Sequence, residues 1–364
     1  MFGREAMSIT AAQFAILGIA AFALTGLLTW PVRALAIRLG AMDAPNLARK
    51  TQAEPVPYLG GVAIALGISI ITLGAVFVGS DNFAGENNDQ LKDLALTVLL
   101  PALVLGAMGL FDDLRSLSPW PRLITQTVIG TAVAFVIVNS GTIGTPFGDT
   151  GSGNGSWLNT LITIVWIVGI CNSINFFDNL DGAASGAVAI AALGVFFIAF
   201  DRGQELVSAL SIVTAGATIG FLMWNKSPAK IYMGDAGALF LGIIISVATI
   251  RLNPGITPTW QSLAIPVMLL AVPLLDTCVA VFSRLARGLS PLTGGKDHLS
   301  HRLVRGGLTR PMAAISLWSA SGVCAFFALG VYFYAASLGS LLIAGFAALW
   351  VLALVLFLRT PSQD

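Results

Sequence analysis

Apolar runs of about twenty residues recur almost end to end in this chain, and they restrict its fold more than any other feature. Each is long enough to cross a bilayer as a helix, and eleven spans are expected: 9–31, 60–79, 94–111, 122–140, 157–174, 183–200, 207–224, 237–251, 261–283, 312–335 and 339–358. Several carry internal Gly or Pro, which transmembrane helices tolerate. Composition agrees. Hydrophobic residues make up 56% of the 364 and charged residues 10%, against about 25% charged in a soluble domain, and the mean hydropathy is +0.86. The expected fold class is all-α, a polytopic integral membrane protein with about 11 transmembrane helices. No connection is large enough to fold alone, so residues 1–364 are read as a single integral membrane domain. The first run continues to Ala36, beyond a signal peptide's apolar region of about 7–15 residues, and reads as a retained span.

Charge sets the expected orientation. Loops 32–59, 112–121, 175–182, 225–236 and 284–311 and the C-terminal tail hold fourteen of the 19 Lys and Arg residues. The opposite side holds Arg4, Lys92, Arg202 and Arg251, and Arg122 opens a span on the basic side. The basic side is expected to be cytoplasmic, with the N-terminus outside and the C-terminus inside. A net charge of +1 gives no reason to expect nucleic acid as a partner. The three cysteines lie in or beside apolar runs and suggest neither a disulfide framework nor a Cys-based metal site.

The basic side also gathers the acids. Asp112 and Asp113 close the third span, and Asn172, Asn175, Asp178, Asn179 and Asp181 close the fifth. Asn225, Lys230 and Asp235 lie between the seventh and eighth, and "KDHLSHRL" (296–303) holds both histidines of the chain, His298 and His301. Each has an ordinary reading: Asp235 before Ala-Gly could be a helix N-cap, and Asp276 could pair with Arg284. Together they point elsewhere. Ionisable groups at membrane depth are costly and usually functional, and neighbours such as Asp112 and Asp113 repel unless a cation or proton intervenes. Carboxylates and amide carbonyls with few thiols suit Mg²⁺, with Mn²⁺ as a substitute. Lys50, Lys230, Arg302 and the histidines suit phosphate oxygens, and imidazole can carry charge near neutral pH. Glycines 182, 234 and 237 would let backbone approach a ligand. The expected chemistry is a divalent cation with phosphates at the inner membrane surface.

Five blocks in order then identify a resemblance: "PVPYLGGVAI" (55–64), "GLFDDLRSLSPWPRLITQ" (109–126), "NSINFFDNLDGAASG" (172–186), "PAKIYMGDAGALFLG" (228–242) and "KDHLSHRL" (296–303). The chain resembles the polyprenyl-phosphate N-acetylhexosamine-1-phosphate transferase superfamily, in its amino-sugar branch, related to the phospho-N-acetylmuramoyl-pentapeptide transferases. The resemblance implies that a polyprenyl (undecaprenyl or decaprenyl) phosphate attacks a UDP-amino sugar, UDP-GlcNAc first, and that UMP leaves. It implies a bacterial inner-membrane enzyme with a Mg²⁺-dependent site facing the cytoplasm, and it leaves a homodimer open. By resemblance Asp235 and Asn175 are metal ligands. Asp112, Asp113, Asp178, Asp181, His298 and His301 are catalytic, and Asn172, Asn175, Asn225, Lys230, Arg302 and Lys50 bind substrate. Direct attack by the lipid phosphate, with Asp112 or Asp113 taking any remaining proton, is expected over an aspartyl-phosphate intermediate.

The sequence departs from the family pattern at Ala238, Ser300, Asn179, Gln52 and Tyr58, which bears on the sugar more than on the reaction. A pentapeptide-type or other UDP-HexNAc donor remains open. So do two readings of another class, an ion-coupled transporter and an inactive scaffold.

Overall fold

The computed structural model describes residues 9–43, 55–79, 95–115, 117–139, 156–292 and 294–360. Its helices are α1 (Ala11–Arg38), α2 (Gly60–Gly79), α3 (Leu100–Arg115, entered through a π turn at Ala95–Leu99), α4 (Pro119–Asn139), α5 (Ser156–Phe177), α6 (Ala183–Asp201) and α7 (Glu205–Asn225). They continue with α8 (Gly234–Arg251), α9 (Thr259–Leu269), α10 (Ala271–Ala286), α11 (Leu299–Arg305), α12 (Arg310–Phe333) and α13 (Ser340–Arg359, after a π turn at Ala335–Gly339). Two short strands, β1 (Met42–Asp43) and β2 (Val56–Pro57), pair antiparallel in the loop between α1 and α2.

Every predicted run falls on a helix within the described residues. Among the described residues nine helices are long and apolar enough to cross a membrane, and ten if α9 and α10 count as one span; the apolar stretch of α2, Gly60–Ala75, is shorter. The run 261–283, expected as one span, is bent by 73° between α9 and α10. Pro273 is the cause. It has no N–H for the Leu269 carbonyl, and its ring crowds that carbonyl.

The bundle is built round α8. Of its most apolar window 83% is buried, against 6% for the segment containing α13. An interior helix is apolar all round, and α8 is: Leu239, Phe240, Leu241, Ile243, Ile244, Ile245 and Val247 are all fully buried. It touches α2, α3, α5, α6 and α7. The outer helices turn Leu, Ile, Val and Phe outward, as Ile16, Ile19, Leu27, Phe326 and Leu341 do, which is the surface a lipid solvent requires.

Membrane helices associate through close backbone approach at small residues. Helix α1 meets α7 in this way: a Cβ at Gly216 would collide with the Gly18 carbonyl, and one at Gly220 with the Phe22 carbonyl. Overpacking of this kind costs about 1–3 kcal/mol. Gly216→Val should lower the thermal unfolding midpoint in detergent. Gly322→Ala, at a position in α12 where a Cβ meets nothing within 4 Å, should leave it unchanged or slightly raised.

Candidate active site

The site begins at the first turn of α8. Gly234 has φ +70°, a left-handed conformation that glycine adopts without penalty, and a Cβ there would meet Asp113 Oδ2 at 2.6 Å and the Tyr58 carbonyl at 2.9 Å. That turn aims two backbone amides at α3. Asp113 Oδ1 accepts the Asp235 N–H at 2.9 Å, and Oδ2 accepts the Ala236 N–H at 3.1 Å. A carboxylate from one helix thus caps the positive end of another. The cap read for Asp235 belongs to Asp113.

The "PVPYLGG" block lies alongside. Tyr232 donates its N–H to the Pro57 carbonyl at 2.8 Å, while Gly60 and Gly61 donate to the Tyr232 and Met233 carbonyls at 2.9 and 2.8 Å. A Cβ on Gly61 or on Gly237 would strike the other's backbone. The glycines at 182, 234 and 237, expected to admit a ligand, instead admit protein: Gly182 backs onto Leu222 and Trp318.

Capped in this way, Asp235 joins a cluster drawn from four segments. Arg122 Nη1 sits between two carboxylates, 2.8 Å from Asp112 Oδ2 and hydrogen-bonded to Asp235 Oδ2. Each carboxylate is also anchored from behind. Asp112 Oδ1 accepts the Leu117 N–H at 2.6 Å, and Asp235 Oδ1 accepts Asn175 Nδ2–H at 2.7 Å. The Arg122 and Asp235 side chains remain 24% and 27% exposed, so a ligand can reach the cluster. Its oxygens are hard donors of the kind Mg²⁺ takes. Among the described residues no three His, Cys, Asp or Glu side chains surround one point. The convergence is of two carboxylates, with the Asn175 amide adjoining Asp235, and it leaves room for the water and phosphate ligands that Mg²⁺ usually keeps.

The acidic loop after α5 flanks this cluster. Asp181 Oδ2 accepts the Ala229 N–H at 3.1 Å. Asp178 is half-buried and its carboxylate has no hydrogen-bond partner among the described residues. Burial, then the charges of Asp235, Asp113 and Asp181, push it well above the usual carboxylate range.

The histidine segment forms a separate layer. His298 Nδ1 lies 2.7 Å from Asp276 Oδ2, and Asp276 Oδ1 accepts the Leu299 N–H at 2.6 Å, capping α11. His298 Nε2 faces an Arg284 nitrogen at 3.3 Å. Guanidinium only donates, so Nε2 accepts and Nδ1 carries the proton toward Asp276. Arg284 pairs not with Asp276, as its spacing suggested, but with Asp297 at 3.0 Å. Among the described residues this layer meets the acidic loop through the Ser300 hydroxyl, which donates to Asn179 Oδ1, and through Phe176, whose ring meets His298 edge to face at 5.8 Å and lies under the Arg284 guanidinium at 5.4 Å.

The other expected site residues sit outside this cluster. His298 is 7% exposed with both ring nitrogens engaged, so in this arrangement it holds α10 to α11 and has no N–H to offer a phosphate. His301 lies where charge near neutral pH is disfavoured. Burial first, then His298 and the cations Arg305 and Lys296, push its pKa down to about 4. Arg302, read as substrate-binding, is 2% exposed and spends its guanidinium on the Phe357 and Thr360 carbonyls at the end of α13, with Ser283 and the Asp297 carbonyl. Asn225 is 1% exposed and ties Gly182, Ser185 and Ile231 together. Asn172 bonds Gln126 and the Val168 carbonyl at 2.6 and 2.8 Å, joining α5 to α4. Lys230 is exposed, its ammonium over the Trp224 ring. Lys50 and Gln52 lie outside the described residues. Sequence reasoning missed Arg122 as a site residue. Its signal in the sequence is a guanidinium at the mouth of an apolar span, nine positions after Asp113.

The fold and the cluster define a multi-pass membrane protein with one polar centre at a single end of its bundle. The chain belongs to glycosyl transferase family 4, whose family model matches residues 95–253. A Bacillus subtilis relative named "probable undecaprenyl-phosphate N-acetylglucosaminyl 1-phosphate transferase" is 34% identical over 300 residues, covering 81% of this chain and 78% of its own. A Mycobacterium tuberculosis decaprenyl-phosphate N-acetylglucosaminephosphotransferase is 32% identical over 368 residues, covering 93% and 88%. A Streptococcus thermophilus phospho-N-acetylmuramoyl-pentapeptide-transferase is 31% identical over 209 residues, covering 54% and 59%.

Asp178 yields a prediction with a definite sign. A carboxyl whose native pKa is raised favours the native state when protonated, and that contribution is lost as pH rises through the native pKa. In EDTA, Asp178→Asn should unfold at a higher temperature than wild type. The gap should widen as pH rises from about 5 to 9. A constant gap would show that Asp178 is not held protonated.

Proposed function

We propose that this chain transfers a sugar 1-phosphate, GlcNAc 1-phosphate first, from a UDP-sugar to a membrane polyprenyl phosphate, releasing UMP and leaving a polyprenyl-diphospho-sugar. The observation that carries this reading is the convergence of Asp112 and Asp235 on one cationic nitrogen at the open end of the bundle, with Asp113 fixing the turn that holds Asp235. The names of the relatives support the substrate class. The clustering of Lys and Arg on this end supports a cytoplasmic-facing site in a bacterial inner membrane.

The chemistry follows from charge. A phosphate monoester has a second pKa near 6, so the lipid phosphate is mostly dianionic at neutral pH and needs little help from a base. Bringing it against a diphosphate is the larger barrier. Asp235, Asp112 and Asn175 are the residues that would hold Mg²⁺. When bound, the ion supplies charge neutralisation and alignment of the in-line displacement. Arg122 adds a guanidinium whose Nε and Nη2 have no protein partner among the described residues. Exposed Lys230 sits on the adjoining loop, available to phosphate oxygens. Both oxygens of Asp113 accept amides, and both oxygens of Asp112 are engaged. This favours direct attack over an aspartyl-phosphate.

The test is UMP release by the purified protein with undecaprenyl phosphate, Mg²⁺ and a panel of UDP-sugars. Release should require lipid and metal together, be fastest with UDP-GlcNAc, and fall by about 10²-fold or more in Asp235→Asn. Folded protein that releases no UMP with any sugar would overturn the proposal.

A further inference from the structure

Arg122 stands where the proposed reaction needs something else. It is the fourth residue of α4, at the positive end of a helix, where a cation is disfavoured. Its Nη1 nonetheless occupies the one point on which the Asp112 and Asp235 Oδ2 atoms converge. Each carboxylate also has an anchor besides Arg122, the Leu117 amide for Asp112 and the Asn175 amide for Asp235. Without Arg122, two anionic oxygens would still face one point, and their mutual repulsion would remain.

We infer that Arg122 is a built-in stand-in for the divalent cation: it keeps Asp112 and Asp235 convergent in the metal-free protein and yields that place when metal binds, freeing its guanidinium for the phosphate of a substrate. This rests on the metal-dependent reading above. Guanidinium suits the second duty, since its planar fork matches two phosphate oxygens. It suits the first only in part, because it meets the carboxylates through a single nitrogen. One residue then has two effects of opposite sign. It opposes metal binding, and it supports the reaction once metal is bound.

The experiment measures Mn²⁺ affinity of the full-length protein in detergent, by the electron paramagnetic resonance signal of free Mn²⁺, for wild type, Arg122→Gln and Arg122→Lys. Arg122→Gln should bind Mn²⁺ about tenfold more tightly, equivalent to about 1.4 kcal/mol, and still release UMP more slowly with metal bound. It should unfold at a lower temperature than wild type in EDTA, and Mn²⁺ should raise its midpoint by more than it raises that of wild type. Arg122→Lys keeps the charge but not the fork, and should bind about threefold more tightly than wild type; it decides the matter alone if Arg122→Gln does not fold. Folded variants that bind Mn²⁺ as wild type does, or more weakly, would overturn the inference and leave the metal-dependent reading standing. Wild type that binds no Mn²⁺ would overturn both.

Discussion

Two hydrogen bonds from the first turn of α8 to Asp113 organise the candidate active site of this protein. The opening amides of α8 have no intrahelical acceptor, and a buried N–H left unpaired costs about 1–3 kcal/mol. Asp113 supplies the missing acceptors from α3. That contact fixes α3 against α8 and places Asp112 and Asp235 within reach of one guanidinium. The close approach of Gly109 to the Asp235 backbone, where a Cβ would collide, serves the same junction. Asp113, expected to take part in the reaction, is also the residue that builds this junction.

The remaining segments are arranged about this junction by hydrogen bonds between loops of one end. Loop 55–61 joins 232–233, Asp181 joins Ala229, Arg33 donates to the Lys230 carbonyl at 2.9 Å, and Ser300 joins Asn179. The Pro273 bend turns α10 toward α11, where Asp276, His298, Arg284 and Asp297 form a buried polar network. Such networks rigidify when every member is satisfied. The histidine segment thus acts on the centre through Phe176 and Asn179, as a brace for the acidic loop.

Much of this was legible in the sequence because the bilayer imposes a length. The apolar runs located the helices, and hydrogen bonds link the described parts of the basic-side loops to one another. Periodicity says nothing of a bend, so the break after Leu269 escaped, although Pro273 was in view. Among the site residues, Asp235, Asn175, Asp112 and Asp113 could be grouped because acids at membrane depth stand out. Their division of labour could not be read, because capping by Asp113 depends on α3 and α8 crossing at Gly109 and Gly234. Asn225 and Arg302 have the composition of phosphate-binding residues, and the sequence gives no sign that both are buried and bonded within the protein. Ser300 and Asn179, two separate departures from the family pattern, are partners across 121 positions of sequence, a relation that only the folded chain displays.

The account holds that Asp112 and Asp235 act as one unit, because their Oδ2 atoms share a single cationic point. The most direct measurement is a double-mutant cycle on UMP release with Asp112→Asn, Asp235→Asn and the combined variant, using radiolabelled donor to resolve slow rates. Groups that act as a unit are strongly non-additive. The account predicts that the double variant is no slower than the slower single variant, within about threefold. Multiplicative losses would mean that the two carboxylates serve separate steps, and would contradict it.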